Sequence, residues 1–140
     1  MKLQDKINRY KRLKIKLTPQ RVAILDYLEG NKTHPSAEDV YKHISRRFPS
    51  MSFATVYNIL NTLTRYGLIK ELSIDPDKKR FDPNVHNHHH LMCIRCGKII
   101  DINMDYKLDL PEEALNGFKL IDNQIVFYGI CADCIKKEKL

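Results

Sequence analysis

Apolar residues recur every three or four positions in the first part of the chain, which is the spacing of one face of an α-helix. Segment 2–16 carries such a stripe, and its other faces, Lys6 included, are crowded with basic residues. Thr18 and Pro19 then form a helix start, an N-cap followed by proline at the first helical position. The pattern predicts a charged helix over 2–16 and a second helix from Pro19 to the break at Gly30.

Two further helices are predicted in the next part of the chain. Ser36 and Asp39 have the spacing of a capping box, and the helix that they begin is ended by Pro49. Ser52 can cap the next helix, which Gly67 closes at the C′ position. Three short helices with tight connections therefore follow the charged one.

Strand signals come directly after these helices. Residues 68–74 predict one strand, residues 75–77 a turn, and residues 79–81 the return strand. Three helices and a hairpin are the element order of a winged helix-turn-helix domain, in which the third helix enters the DNA major groove and the hairpin flanks the backbone. A three-helix domain without a DNA role shows the same periodicity, so this alternative stays open on the pattern alone.

Short apolar runs between polar residues make up the rest of the chain. Residues 83–90 are polar and rich in histidine, which predicts a hinge. Apolar runs at 99–104, 118–121 and 125–130, with a short helix at 111–116, predict a small α+β unit. About 50 residues are too few for a self-sufficient core, so metal binding or dimerisation is needed to stabilise this unit.

The net charge of +7 is unevenly distributed along the 140 residues. Residues 1–83 hold 17 basic and 9 acidic side chains, a net of +8, whereas residues 84–140 hold 7 and 8, a net of −1. A basic half indicates a polyanionic partner such as DNA or RNA. The alternative is a solvated basic face that only keeps the protein soluble.

Several classes of protein are excluded by the composition. No run of about 18 apolar residues exists, so neither a transmembrane span nor a membrane partner is predicted. The N-terminus is charged from Lys2 onward and lacks the apolar segment of a secretion signal, so we expect a cytoplasmic protein. In that reducing compartment, cysteines are metal ligands more often than disulfides.

Two Cys-x-x-Cys pairs contain every cysteine of the chain, namely Cys93, Cys96, Cys131 and Cys134. Two residues between the thiols let both sulfurs reach one ion at about 2.3 Å, and four thiolates make a closed zinc site of the structural kind. The alternative is a thioredoxin-like redox pair. Such a pair has one Cys-x-x-Cys motif in a βαβ context, whereas this chain has two motifs. With zinc bound, Cys134 starts or precedes the last helix, predicted at 135–139, and the ion joins that helix to the turn at Cys93.

A second group of candidate ligands lies beside the first pair. His88 and His90 project to one face if this stretch is extended, while Asp82 precedes them across the hinge and Asp101 follows on the next strand. Two imidazoles with carboxylates suit Fe²⁺ or Mn²⁺ better than structural zinc. The alternative is a solvated polar loop, which consecutive histidines often form.

An ordered series of short motifs matches one known family along nearly the whole chain. The series comprises Leu17-Thr-Pro-Gln-Arg21, His34-Pro-Ser-Ala-Glu-Asp-Val-Tyr41, Ala54-Thr-Val-Tyr-Asn58, Arg80-Phe-Asp82, His88-x-His90-x-x-Cys93-x-x-Cys96-Gly-Lys98, Asp101, Tyr128-Gly129 and Cys131-x-x-Cys134. Each motif alone is weak evidence, whereas the ordered set is specific. In these residues the chain resembles the ferric uptake regulator family of bacterial metal-dependent repressors.

The resemblance implies an α+β homodimer with two domains in each chain. Residues 1–83 would form a winged helix-turn-helix DNA-binding domain, and residues 84–140 a small α/β dimerisation domain with structural zinc on its four cysteines. The resemblance also implies a regulatory Fe²⁺ or Mn²⁺ held by His34, Asp82, His88, His90 and Asp101. Of these, His34 cannot be found from ligand spacing, and as a helix-flanking residue it would be unremarkable alone.

Within the family, the chain is most similar to the peroxide-sensing branch. Asp82 and Asp101 stand where iron-uptake members often have glutamate, and Asn58 stands where many of them have arginine. This similarity implies that Fe²⁺ reacts with hydrogen peroxide and oxidises His34 or His88, after which the metal leaves and repression lifts. A Mn²⁺-loaded form would repress without responding to peroxide.

A further metal site of some family members is not implied for this chain. The corresponding positions are Asn87, His89 and Asn123 rather than a His/Asp/Glu/His set. His86 and His89 therefore have no assigned role.

Two winged helices related by a two-fold axis predict double-stranded DNA with a pseudo-palindromic operator as the partner. Candidates for base contacts are Ser52, Thr55, Tyr57 and Asn58, and an asparagine can pair bidentately with adenine. Tyr57 is alternatively a core residue, as aromatics at helical spacing usually are. Candidates for phosphate or minor-groove contacts are Lys11, Arg12, Lys14 and Arg21, whose alternative is a solvated face.

Together these features predict a metal-dependent, peroxide-sensing transcriptional repressor and not an enzyme. The rivals within the family are an iron-uptake repressor and a zinc-responsive one. Outside it, the rivals are a metalloenzyme that uses the His/Asp cluster for hydrolysis and a zinc-stapled interaction module without a DNA role. The sequence gives no signal of a separate general base or substrate pocket that would favour the enzyme.

Overall fold

The computed structural model describes residues 3–86 and 88–139, so Met1, Lys2, Asn87 and Leu140 lie outside the described residues. The chain divides into two compact units, residues 1–86 and residues 87–140, which we call the N-terminal unit and the C-terminal unit. No helix of the described residues is long and apolar enough to cross a membrane.

The N-terminal unit has the predicted winged helix-turn-helix order. Its elements are α1 (Leu3–Arg12), α2 (Pro19–Leu28), α3 (Ala37–Ile44), α4 (Phe53–Arg65), β1 (Lys70–Leu72) and β2 (Arg80–Asp82). The two strands pair antiparallel, with Glu71 opposite Phe81, and form the hairpin, or wing.

Local capping explains where three of the helices begin. The side chains of Thr18, Ser36 and Ser52 each accept a hydrogen bond from a backbone N–H in the first turn of the following helix. At α3 the Asp39 carboxylate also accepts from the Ser36 N–H at 3.0 Å, which completes a capping box. The helix starts predicted at these three residues are confirmed.

One apolar core joins these helices and the wing. It contains side chains from α1, α2, α3, α4 and β2, among them Tyr10, Leu25, Val40, Leu60 and Phe81. Helix α4 contributes Val56, Leu60 and Leu63, as its periodicity predicts. The opposite face of α4 is thereby left for solvent or a partner.

Two helices end earlier than the sequence pattern predicts. The helix predicted over 2–16 ends at Arg12, because Lys14 adopts a left-handed backbone (φ 57°) and the Ile15 N–H turns back to the Tyr10 carbonyl. The helix predicted to run to Pro49 ends at Ile44, where the amides of Arg47 and Phe48 both donate to the Ile44 carbonyl and close a turn. Apolar spacing continued past both ends, so it could not locate them.

The strands of the wing are also shorter than predicted. Of the strand predicted over 68–74, only Lys70–Leu72 (β1) forms in the structure. The return strand lies one residue later than predicted, at Arg80–Asp82. The predicted turn at 75–77 lies between them. Asp82, a predicted ligand, is therefore part of the wing.

Replacing Tyr10 by phenylalanine should stabilise the N-terminal unit. The Tyr10 side chain is buried, and its hydroxyl has no hydrogen-bond partner among the described residues. Removing a buried unsatisfied hydroxyl should raise the free energy of unfolding by about 1 kcal/mol. Urea unfolding followed by circular dichroism measures this, with Tyr41→Phe on the half-buried Tyr41 as the control.

Alkaline pH should increase the difference in free energy of unfolding between the wild type and Tyr10→Phe. Burial raises the pKa of Tyr10, so the folded state holds the phenolic proton at a pH where the unfolded chain releases it. The wild type therefore loses stability as the pH rises above about 10, and the phenylalanine variant lacks this loss. An equal decline in both proteins would contradict the assignment.

The C-terminal unit is built on a three-stranded sheet. Its elements are β3 (His89–Cys93), β4 (Ile99–Ile102), α5 (Glu112–Leu115), β5 (Val126–Gly129) and α6 (Ala132–Glu138). The strand order is β4-β3-β5, with β4 antiparallel and β5 parallel to β3. The parallel pair of β3 and β5 needs a long crossover connection. The chain makes this connection by running from β3 through β4 and then through α5 to β5.

Two predictions for this unit were wrong in detail. The last helix begins at Ala132 rather than residue 135, because Cys131 is extended and its carbonyl accepts from the Ile135 N–H at 2.9 Å. Cys134 therefore lies inside α6, not before it. The apolar run 118–121 forms no strand in the described chain, and Phe118 and Ile121 are 77% and 87% exposed.

Candidate metal centres

Parallel pairing of β3 and β5 brings the two Cys-x-x-Cys pairs together. Cys93 ends β3 opposite Gly129, which ends β5 two residues before Cys131. The Sγ atoms of Cys93 and Cys134 are 3.9 Å apart, and those of Cys96 and Cys131 are 3.8 Å apart. A sulfur tetrahedron around zinc with Zn–S bonds of about 2.3 Å has edges of about 3.8 Å, so the four thiols fit a zinc ion.

Backbone N–H groups favour ionised sulfur at Cys93. The N–H groups of Cys131 and Arg95 donate to the Cys93 Sγ at 3.3 and 3.4 Å. Donation from Cys131, followed by that from Cys96, lowers the pKa of Cys93 to about 6. The neighbouring Cys131 sulfur instead raises the pKa of Cys134 to about 12. Four thiolates this close need a cation to offset their mutual repulsion.

A His/Asp group lies at the start of the same sheet. His90 on β3 lies directly opposite Asp101 on β4, which brings side chains of an antiparallel pair close together. The Asp101 Oδ1 is 3.1 Å from the Nε2 of His88 and 3.6 Å from the Nε2 of His90. The two imidazole rings are 4.5 Å apart between centroids. The prediction that His88 and His90 share a face is confirmed.

The N-terminal unit holds the other two predicted ligands as a pair. The His34 Nε2 is 3.3 Å from the Asp82 Oδ2. The loop before α3 runs beside β2, where the Phe81 N–H donates to the Pro35 carbonyl at 2.9 Å. His34 and Asp82 are 48 positions apart in sequence, so ligand spacing could not have found this pair, and only the family resemblance included His34.

Nitrogen and carboxylate donors distinguish these two groups from the thiolate cluster. Imidazole and carboxylate together form a borderline-to-hard donor set, which suits Fe²⁺ or Mn²⁺. Each unit thus contains donors of the same chemical class: His34 with Asp82 in the N-terminal unit, and His88 and His90 with Asp101 in the C-terminal unit.

His89, which the sequence left unassigned, supports the sheet. Its Nδ1 accepts a hydrogen bond from the Ile125 N–H at 2.9 Å, and its ring lies edge-on to Tyr106. Asn123 donates to the Tyr106 carbonyl. Asn87, the third position considered for a further metal, lies outside the described residues, and His86 is exposed.

The side chains predicted to contact DNA lie on α1, α2 and α4 and at two positions beside these helices, Lys14 after α1 and Ser52 before α4. Most of them are exposed, namely Lys11, Arg12, Lys14, Ser52, Thr55 and Asn58. Arg21 is half-buried and donates to the Lys16 carbonyl at 2.6 Å. Tyr57 is half-buried and packs against the core, 6.2 Å from the Phe53 ring. The contacts of these residues with DNA stay predictions.

Lys6, one of the basic residues off the apolar stripe of α1, is buried. Its side chain is fully buried, and its Nζ donates to the Pro83 carbonyl at 3.0 Å. Burial lowers the pKa of Lys6, while the charges of Glu29 and Asp82 counteract that shift. Its partner, the Pro83 carbonyl, is 77 positions away in the sequence, so a pattern local to α1 could not reveal this contact.

The sequence profile of the ferric uptake regulator family matches residues 12–128. The chain is 39% identical over 138 residues to the peroxide operon regulator of Bacillus subtilis, covering 97% of this chain and 95% of that protein. Its relatives in these comparisons are regulators and repressors, not enzymes.

Solved structures of this family resemble the chain over most of its length. The ferric uptake regulator of Helicobacter pylori, described as having three functional metal-binding sites, matches with a TM-score of 0.75 at 25% identity, covering 96% of this chain and 94% of that one. PerR of Streptococcus pyogenes, described in terms of peroxide sensing and gene regulation, matches with a TM-score of 0.56 at 36% identity over 94% and 92%. Profile, sequence identity and fold agree that this chain belongs to the ferric uptake regulator family.

Proposed function

We propose that this chain is a metal-dependent, DNA-binding transcriptional repressor that responds to peroxide. The observation that carries this proposal is the presence of His/Asp donors in both units, His34 with Asp82 and His88 and His90 with Asp101, separate from the thiolate cluster. Membership of a regulator family and the likeness to the Bacillus subtilis peroxide operon regulator support it.

Zinc on the four cysteines would act as a structural ion. Its ligands join the turn after β3 to the start of α6, and four thiolates leave no open position for a substrate. A unit of this size gains folding free energy from such an ion. We assign this ion to Cys93, Cys96, Cys131 and Cys134, in residues 84–140, which we propose to be the dimerisation domain.

The regulatory ion would be Fe²⁺ or Mn²⁺ with ligands from both units. We assign it to His34, Asp82, His88, His90 and Asp101. An ion that needs donors from residues 1–83 and from residues 84–140 favours one arrangement of the two. It promotes operator binding only as far as it binds the DNA-competent arrangement more tightly than other arrangements.

Peroxide sensitivity would depend on which metal is bound. Bound Fe²⁺ would supply the redox chemistry that activates hydrogen peroxide, and Mn²⁺ would not do so under the same conditions. In the net reaction, one peroxide oxygen would be inserted into a C–H bond of an imidazole, for which we propose His34 or His88, and the other would leave as water, so the two electrons that reduce the peroxide would come from the imidazole. Because an oxidised imidazole would be a weaker ligand, the metal would be released and repression would end.

A homodimer would place two winged helices on a pseudo-palindromic operator. Exposed apolar side chains of the C-terminal unit support an interface there, among them Ile100 on β4, Phe127 and Tyr128 on β5, and Ile135 on α6. In each protomer, α4 would read bases through Ser52, Thr55, Tyr57 and Asn58. Lys11, Arg12, Lys14 and Arg21 would contact the phosphates or the minor groove.

Operator binding under defined metals tests this function. A pool of random duplex DNA is first selected with the Mn²⁺-loaded protein, and the affinity for the selected sequence is then measured with Fe²⁺ or Mn²⁺. We expect binding with either metal and loss of binding after micromolar peroxide with Fe²⁺ only. Release by chelation of iron without any peroxide effect would indicate an iron-uptake repressor, and activation by zinc alone a zinc-responsive one. Failure to bind DNA with every metal would contradict the proposal.

Phosphate contact by α1 predicts a change in salt dependence. If Lys11 neutralises a DNA phosphate, Lys11→Gln should weaken binding to all sequences and reduce the slope of log affinity against log salt by about one. Electrophoretic mobility shifts at several salt concentrations measure the slope. Lys98→Gln, on an exposed cation of the C-terminal unit, is the control, and an unchanged slope for Lys11→Gln would exclude this contact.

A further inference from the structure

His34 adopts a backbone conformation that an imidazole-bearing residue seldom takes. Its φ is +55°, in the left-handed region that favours glycine, although its side chain is among the best buried of the N-terminal unit. Such conformations persist only where the surrounding structure holds them, and they concentrate at functional sites. The groups that hold the His34 backbone therefore determine where its imidazole points.

The Arg80 side chain contacts the His34 backbone. Its Nη1 donates to the His34 carbonyl at 3.2 Å, and an antiparallel bridge joins the backbones of Arg80 and Ser36. Arg80 precedes Asp82 by two positions on β2, so their side chains lie on the same face of the strand. Strand β2 therefore carries the predicted ligand Asp82 and also Arg80, whose side chain holds the backbone of the predicted ligand His34.

Asp75 fixes the guanidinium of Arg80. Its Oδ2 accepts from the Nε and Nη2 of Arg80 at 3.2 and 2.9 Å, and its Oδ1 accepts from the Asp77 N–H at 2.9 Å. The two side chains are only 7% and 11% exposed. Because Asp75 lies in the turn of the wing, this ion pair joins the wing turn to the His34 loop.

We propose that Arg80, oriented by Asp75, is a positioning residue that holds His34 for the regulatory metal and couples the wing to that metal. This inference rests on the proposed function, because it takes His34 and Asp82 as ligands. A group that orients a ligand without touching the ion typically changes metal affinity by about 10- to 100-fold. Because coupling between two sites is reciprocal, a DNA contact that fixes the wing should also raise metal affinity through this pair.

Mn²⁺ affinity of the full-length zinc-containing protein tests the inference, with free Mn²⁺ read by its electron paramagnetic resonance signal. We expect Asp75→Asn to weaken Mn²⁺ binding about tenfold. Arg80→Lys should weaken it similarly, because one ammonium cannot span both Asp75 and the His34 carbonyl. The matched control is Glu71→Gln, which removes the exposed ion pair of the same hairpin, Glu71 with Lys79 at 3.3 Å, and should leave the affinity unchanged.

A double-mutant cycle separates positioning from general stabilisation. In a His34→Ala background, Asp75→Asn should cause no further loss of Mn²⁺ affinity, because the ligand that it positions is gone. Lower melting temperatures of Asp75→Asn and Arg80→Lys with wild-type Mn²⁺ affinity would overturn the inference while leaving the proposed function intact. Additive losses in the cycle would overturn it too. Absence of saturable Mn²⁺ binding by the wild type would overturn the proposed function and this inference together.

Discussion

Replacing Cys96 by serine is expected to release the bound zinc and to unfold the C-terminal unit. The four sulfurs lie at tetrahedral spacing, and three ligands cannot close the site. Structural zinc supplies roughly 10–16 kcal/mol of apparent binding free energy, which exceeds the stability of a typical domain. Zinc content by atomic absorption and amide exchange across residues 88–139 measure the two effects.

The control for this prediction changes the same turn without removing a sulfur. Arg95 lies between the two thiols of the first pair, and its Nε donates to the Glu138 carboxylate of α6 at 2.8 Å. Arg95→Ala should keep one zinc ion per chain and lose little stability, since exposed ion pairs contribute about 0–1 kcal/mol. A folded Cys96→Ser protein with full amide protection and no zinc would contradict the structural role of the ion.

Replacing His88 by alanine is expected to weaken regulatory metal binding at least about 100-fold and, with it, to weaken Mn²⁺-dependent operator binding. Removing a ligand should lower the metal affinity at least as much as removing a group that only orients a ligand, which can cost about 100-fold. Mn²⁺ affinity and Mn²⁺-dependent operator binding are the two readouts. His86→Ala is the control, because His86 is exposed, belongs to neither donor group and lies two residues away.

The corresponding variant of the N-terminal unit tests whether both units contribute to one ion. His34→Ala should weaken Mn²⁺ binding as strongly as His88→Ala, while the zinc content of both variants stays at the wild-type level. A His34→Ala protein with wild-type Mn²⁺ affinity would mean that the C-terminal donors bind the ion alone. The proposal that one ion takes ligands from both units would then be wrong, although a metal site in the C-terminal unit would remain.

Helix starts in the N-terminal unit were predictable because their determinants are local. Thr18, Ser36 and Ser52 each cap the backbone three residues ahead, and this chemistry is visible in the sequence. Two helix ends were not predictable, because the left-handed turn at Lys14 and the closed turn at Ile44 interrupt apolar patterns that continue beyond them. Gly67, at positive φ, closes α4 at the predicted position. Local chemistry therefore predicted the order of the elements better than their length.

Pairings between distant segments account for most of what the sequence did not reveal. Lys6 is buried against the carbonyl of Pro83, 77 positions away, so the sequence of α1 alone gave no sign of its burial. The parallel pairing of β3 with β5, which brings Cys93 near Cys131, likewise depends on a crossover that no short pattern specifies. Cysteine chemistry and spacing predicted the four ligands, but not the helix position of Cys134.

Family resemblance added the candidate ligand that spacing could not supply. His88, His90 and Asp101 were candidates from local sequence, and the register of β3 and β4 places them together. His34 became a candidate only through the ordered motifs. Arg80 belonged to one of those motifs, but its pairing with Asp75 had no signal in the sequence, because the proposed role depends on the three-dimensional contact with the His34 carbonyl.

Peptide mass analysis after peroxide treatment shows whether a proposed ligand histidine takes up oxygen when repression is lost. The protein is loaded with Fe²⁺ or with Mn²⁺, exposed to micromolar hydrogen peroxide, digested and examined for added oxygen. We expect a gain of one oxygen atom on His34 or His88 in the Fe²⁺ form only, in step with loss of operator binding. Loss of operator binding with both histidines unmodified, or equal oxidation in the Mn²⁺ form, would contradict this expectation.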